Sequence, residues 1–475
     1  MFEDNDRYFE EKNREEIVSR YEDLLRKKKP FFFDVDDFES IIEFYVEQNK
    51  FSSAFEATNI ASGLFPYSPE IKLKKAQLLL DKGKPVEALS ELKNALLHDS
   101  ENFEIFLLLG ITYLNLNNTK EAIRKFEECI NFIPEDIKKD EILFSIGFHL
   151  GHTNRFALAI KYLNKSIEVN SQNLESLAEI AYCYDGVSNF NKCIEFYLKC
   201  IDINPFLEFN WYNLGLIYIK INNTKKAIEA FDYALAIDPE YLSAYLAKAN
   251  LYLSLEKYTD AVDIYKEYLN YDTDFADVYY YIGECYEKLD KLETAIKYYD
   301  LTIEKDKNHS DAWLGKGVIK MYLEDYAGSL VCLTNSVLID AENPEAQYSL
   351  AELYLKTGMY SEALPHVEIA IKVAPEEVDY ILLQSELYQA LGDFKKSIDV
   401  LEDGYFSIEE KAPILYRLAG LYISKDNNQK AAEYLKQAIE ADSALIVDFL
   451  KIFPDAKDFA GFKGLLDLPN KKLKK

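Results

Sequence analysis

Five aromatic residues, Phe144, Tyr212, Tyr280, Tyr348 and Tyr416, stand 68 residues apart, and a cation follows each of the first four at a distance of eight: His152, Lys220, Lys288 and Lys356. Rings paired with positive groups at a fixed interval suit recognition rather than bond making. A rigid aromatic offers contact area at small entropy cost, and repeated weak contacts add through effective concentration. The chemistry implied is the holding of an extended peptide. A second origin is open on the sequence, in which pairs of units were duplicated together and the rings pack on neighbouring helices.

Metal ligation is the other chemistry the residue types allow. His149 and His152 are spaced i, i+3 for one helix face, and Cys183 follows His149 by 34 residues. No carboxylate or second cysteine accompanies them at ligand spacing, so partly buried histidines account for the pair without metal. The six cysteines (129, 183, 193, 200, 285 and 332) include no CxxC, and Cys193 and Cys200 take places where alanine is usual, as small core residues do. GxxxxGK[ST], GxGxxG, HExxH and GxSxG are all absent. The sequence therefore implies no cofactor, no metal and no catalytic residue.

The stripe has to be carried by something periodic, and the chain repeats itself at a step of 34. Units begin at Val35, Pro69, Phe103, Asp140, Leu174, Glu208, Leu242, Ala276, Ser310, Pro344, Val378 and Ala412, with one three-residue insertion, Ile137 to Lys139. This predicts twelve repeats: 35–68, 69–102, 103–139, 140–173, 174–207, 208–241, 242–275, 276–309, 310–343, 344–377, 378–411 and 412–445.

Each conserved type has a packing reason. Position 8 is Gly, Ala or Ser in eleven units, as a close helix crossing demands, and only Ile42 departs from it. Position 20 is Ala, Cys or Ser in all twelve and supplies a second close contact. Position 11 is Tyr in nine, a ring that can bury its body and satisfy its hydroxyl. Position 15 is Gly, Asn or Asp in nine, the residues that tolerate a left-handed end to a first helix. Proline at position 32 (Pro66, Pro134, Pro205, Pro239 and Pro375) ends the second helix.

Helix, tight turn, helix, with these residues at these places, resembles the tetratricopeptide repeat (TPR) family over about 411 residues. The resemblance implies an all-α superhelix, a solenoid in which each unit buries its faces only against neighbours and both ends need capping. Residues 1–34 are expected to form a charged capping helix, about Asp6 to Lys28, with Ile17, Tyr21, Leu24 and Leu25 on one face, then a linker that includes Pro30-Phe31-Phe32-Phe33. Residues 446–475 are expected to supply closing helices, Ala444 to Phe453 and Asp455 to Leu466, and a short basic tail, Lys471 to Lys475.

In proteins of this family positions 2, 5, 9, 12 and 13 line a concave groove where partners bind. Position 2 is acidic in nine repeats here, and Glu284 and Glu352 add charge at position 9. Acids in a first helical turn also complement the helix dipole. The lysine and asparagine set with which some members clamp a C-terminal carboxylate is absent, since Asn250 follows Leu246 rather than lysine. A ladder of asparagines at position 6 is absent too, Asn213 standing alone there. The candidate partner-binding groove is the aromatic and cationic stripe together with Asn213, Asn250, Glu284 and Glu352.

Composition sets the outer bounds. Of the 475 residues 49% are hydrophobic, with 17 Gly and 13 Pro, enough apolar material for a long core and too few breakers for disorder. The formal net charge of −28 repels phosphate backbones and acidic membranes. No window is apolar enough for a membrane span, and the start Met1-Phe2-Glu3-Asp4 is neither a signal nor a transit peptide, so a cytoplasmic chain is expected. The function that follows is a non-catalytic scaffold for protein or peptide partners with basic and apolar segments. The alternatives are a helical-repeat binder of single-stranded RNA, its tyrosines stacking bases, or a regulatory subunit of an enzyme; against RNA stand the acids and a total of only seven arginines.

Overall fold

The computed structural model describes residues 2–27 and 32–458. Every regular element among them is helical. The first helices of the repeats begin at the residues marked by the sequence step, except that the fourth starts one residue early, at Lys139 in the insertion. The chain falls into two compact units, residues 1–244 and 245–475.

One turn closes all twelve hairpins. Position 15 has positive φ in every repeat: at Gly83, Gly358 and Gly392, at Asn49, Asn117, Asn154, Asn222, Asp290 and Asp426, and also at Ser188, Glu256 and Glu324. The next amide, at position 16, donates back to the position 11 carbonyl, as from Asn118 to Tyr113 and from Asp325 to Lys320, both 2.8 Å. That bond is the six-to-one closure of a Schellman motif. Position 16 is then often the N-cap of the second helix: Asn118, Asn189, Asn223, Asp325, Asp393 and Asn427 each accept a backbone N–H with the side chain. Two adjacent residues thus end one helix and start the next.

Within a hairpin the small residue at position 8 receives the side chain at position 24. In the first unit Gly110 sits under Phe126, Gly147 under Leu163 and Gly215 under Phe231. In the second, Gly283 lies under Tyr299 and Gly317 under Leu333. The position 20 residues are fully buried beside them, Ala122 and Ala295 among them. Position 11 rings stack on position 23 rings, with centroids 5.7 Å apart for Tyr184 and Phe196, 5.4 Å for Tyr286 and Tyr298 and 5.6 Å for Tyr422 and Tyr434.

The ends are capped by different means. Helix Phe2–Lys27 buries Val18 and Tyr21 in the first hairpin, Tyr21 meeting Phe33 and Phe38 edge-on. Its Arg14 reaches Glu43 at 2.7 Å and Glu47 at 2.8 Å on the first repeat. At the other end helix Ile446–Ile452 and the 3₁₀ turn Pro454–Asp458 place Phe449 and Phe453 against the last hairpin. The expected closing segment through Leu466, the basic tail and the linker residues Pro30 and Phe31 lie outside the described residues.

Candidate functional site

The stripe residues sit on the first helices of alternate hairpins. Phe144 on helix Lys139–His152 is half-buried beside Phe148, centroids 5.9 Å apart. Phe148 in turn lies 4.1 Å from the His152 ring, and His152 stacks on Tyr182 of the next repeat at 5.2 Å and 14°. Below this stack is Glu179, whose Oε1 is 3.7 Å from His152 Nε2, buried and without a hydrogen bond. Burial pushes its carboxyl up to about 7. Burial also lowers the His149 pKa, with His152 adding to the effect, and pushes the neighbouring Cys183 thiol up to about 12.

Further along this unit Lys220 extends back to the preceding hairpin and lies 2.6 and 2.7 Å from the two Asp185 oxygens. Tyr212 packs on Phe231 at 6.0 Å and Tyr241 at 5.3 Å, and burial raises its hydroxyl pKa. Asn213 donates to the Phe209 carbonyl of its own helix at 2.8 Å.

In the second unit Tyr280 packs among Tyr281, Tyr299 and His309, with centroids 5.6, 5.8 and 4.9 Å away. His309 lies 3.3 Å from Asp277. Burial raises the Glu284 pKa although Lys288 opposes it. Lys288 is exposed and makes no ion pair among the described residues. Tyr348 lies 5.0 Å from Tyr380, while Lys356 turns to Glu352 on its own helix at 3.3 Å. Asn250 accepts the Tyr265 hydroxyl.

Four stripe cations therefore have four different settings, and the rings at position 5 differ as well. Tyr212 and Tyr280 cover the position 24 rings Phe231 and Tyr299, which is packing as much as display. Tyr416 is not on a surface at all: it is 4% exposed, its hydroxyl donates to the Asp442 carbonyl at 2.9 Å and its ring packs on Phe449. Helix Ile446–Ile452 covers that ring with Phe449, 5.3 Å away between centroids.

The structure also supplies what the histidine pair lacked in sequence, since Glu179 approaches His152 from the next hairpin. Even so, no group of three or more His, Cys, Asp or Glu among the described residues is arranged to hold a metal ion. Phe148, Glu179 and Tyr182 were invisible as a cluster. The available signals were that Glu179 is the one acid at position 6 and Gly151 the one glycine at position 12.

Successive helical hairpins, each closed by the same turn and crossing at small residues, define a helical-repeat solenoid. The chain is a tetratricopeptide-repeat protein. Tetratricopeptide-repeat family models match residues 79–128, 174–206 and 211–241, and the model of the cilia and flagella-associated protein 70 C-terminal domain matches residues 241–445. Anaphase-promoting complex subunit 3 of Schizosaccharomyces pombe is 28% identical over 134 residues, 27% of this chain. That match spans only 20% of the relative's length. Similar solved structures include the APC/C hetero-tetramer Cut9-Hcn1 (13% identity, 88% of this chain and 96% of that one, TM-score 0.39). A tetratricopeptide-repeat protein from Parabacteroides merdae is 18% identical over 52% of this chain and 98% of its own, with a TM-score of 0.40. Among the described residues no helix is long and apolar enough to cross a membrane.

Proposed function

We propose that this chain is a non-catalytic interaction scaffold that holds extended basic and apolar segments of partner proteins against the first-helix faces of its hairpins. The observation that carries this reading is the coexistence on those faces of half-exposed rings, Phe144, Tyr212, Tyr280 and Tyr348, with exposed position 2 acids such as Glu141, Glu175, Asp311 and Glu345. Rings give contact area, and the acids select and steer cationic segments while rejecting anionic ones. The same charge disfavours RNA, whose phosphates would meet those acids. A relative that is a subunit of a multi-protein complex is compatible with the assignment.

Panning the immobilised protein with a random peptide library tests it. Recovered sequences should be enriched in basic and apolar residues, and the combined Tyr212→Ala, Tyr280→Ala, Tyr348→Ala variant should lose them while keeping its helical circular dichroism. Recovery of neutral or acidic peptides, or the same peptides from the folded variant, would overturn the reading. Retention of single-stranded RNA with a steep salt dependence would put the nucleic-acid alternative in its place.

A further inference from the structure

We propose that Glu179, together with the rings of Phe148, His152 and Tyr182, is a receptor for an arginine side chain of the bound segment. This rests on the peptide-holding role proposed above and names one subsite within it.

The carboxylate is the first argument. Glu179 Oε1 is buried with no hydrogen bond, and the nearest cation-forming group, His152 Nε2 at 3.7 Å, is beyond hydrogen-bonding distance. No lysine or arginine among the described residues forms an ion pair with it. An enclosed acceptor left unsatisfied costs free energy, which a partner's donor would recover. Its carboxyl, held up to about 7 by burial, gains from any cation brought beside it.

The rings decide which cation. The His152 imidazole lies flat on Tyr182 and against Phe148, with about half of its side chain exposed, at the last residue of helix Lys139–His152. To admit a guanidinium the His152 ring has to turn outward from Tyr182 and Phe148, toward the solvent that already reaches about half of its side chain. A guanidinium has the same planar shape, stacks on aromatic faces and presents a fork of N–H donors that a carboxylate accepts; an ammonium has neither plane nor fork. The imidazole thus occupies the place of a flat cation without making the hydrogen bonds that the guanidinium would add.

The same recognition occurs inside the chain. Arg14 of the N-terminal helix donates to Glu43 at 2.7 Å and to both oxygens of Glu47 at 2.8 Å, carboxylates at positions 9 and 13 of the first repeat. An arginine brought by one helix is held there by acids on the first helix of a hairpin. At Glu179 the acid is present and the arginine is missing.

Two one-off residues place the acid there. Position 12 is glycine only at Gly151, where a Cβ would lie 2.8 Å from Glu179 Oε1 and 3.1 Å from Cys183 Sγ. Position 6 is acidic only at Glu179. A buried acid and the gap that admits it thus coincide at one junction between hairpins.

The test is titration of full-length protein, labelled at its five histidines, with N-acetyl-arginine methylamide, and in parallel with the blocked lysine and norleucine compounds. The arginine compound should shift the His152 ring resonances saturably and leave His98, His309 and His366 in place, with the lysine compound at least ~10-fold weaker. Glu179→Gln, and separately Gly151→Ala, should each weaken the arginine response ~10-fold or more in protein whose circular dichroism is unchanged. No saturable shift at His152, an equal response to lysine, or a full response in Glu179→Gln would each overturn the assignment. Library peptides captured equally by wild type and Glu179→Gln would remove the arginine subsite while leaving the scaffold standing; a wild type that captures no peptide would remove the scaffold itself.

Discussion

A Cβ built on Gly215 would lie 2.6 Å from the Phe231 ring, so the two helices of that hairpin approach as closely as a hydrogen in place of a side chain allows. Gly215→Ala should therefore destabilise the first unit by about 1–3 kcal/mol through overpacking. Gly63, also helical, has nothing within 4 Å of its added Cβ. Gly63→Ala should be neutral or stabilising by up to about 1 kcal/mol. Thermal denaturation of the two variants checks the contrast, and a Gly215→Ala protein as stable as wild type would show that the crossing has slack.

Glu256 and Glu324 hold φ of 57° and 61° with ordinary side chains. A left-handed conformation costs such residues about 1–2 kcal/mol, part of which glycine regains. Glu256→Gly and Glu324→Gly should each raise stability by about 0.5–1 kcal/mol, whereas Gly392→Ala, at φ 80°, should lose about 1 kcal/mol or more. Chemical denaturation midpoints at unchanged slope would report both signs.

Tyr416 belongs to the core of the C-terminal cap. Tyr416→Phe removes the hydroxyl bond to Asp442 and should cost about 1 kcal/mol, and Tyr416→Ala about 3–5 kcal/mol. Neither should alter peptide capture by protein that remains folded. A change in capture with unchanged stability would return this ring to the binding face.

The raised Glu179 carboxyl makes stability depend on pH in a definite direction. In the folded chain it holds its proton up to about 7, whereas the ordinary value is 4.5, so the folded state binds more protons than the unfolded one between those values. Its contribution is fully present below the lower value and is lost as pH rises through the upper one. Relative to Glu179→Gln, wild type should therefore lose about 1–3 kcal/mol between about pH 5 and about pH 7.5, measured by urea unfolding of both proteins. Parallel curves would mean that the carboxylate is solvated.

Much of the fold is legible because each repeat position carries its reason in its residue type. Glycine at positions 8 and 15 and small residues at position 20 need no tertiary knowledge to interpret. Ser188, Glu256 and Glu324 are where that legibility ends: they adopt the left-handed turn because the position 16 amide bonds back to position 11 and the helices on either side dictate it. Tyr416 escapes the pattern for another reason, since the periodicity says nothing of the Phe449 side chain that closes over it. The Glu179 cluster is hidden because its parts come from two hairpins, and although Phe148, Tyr182 and His152 stand at groove positions 9 and 13, Glu179 itself stands at position 6, which the groove pattern does not weigh.

The three extra residues Ile137 to Lys139 fall in the connection between two hairpins and lengthen the following helix by a single residue at its start. The turn at Asn154 and the crossing at Gly147 that follow are made as in the other repeats. The array therefore has a reading frame that is checked inside each hairpin and unchecked between them. A gene encoding it can gain or lose whole hairpins, or a few codons at a seam, and still specify foldable neighbours. A one-codon slip inside a hairpin would carry every later contact of that hairpin out of phase.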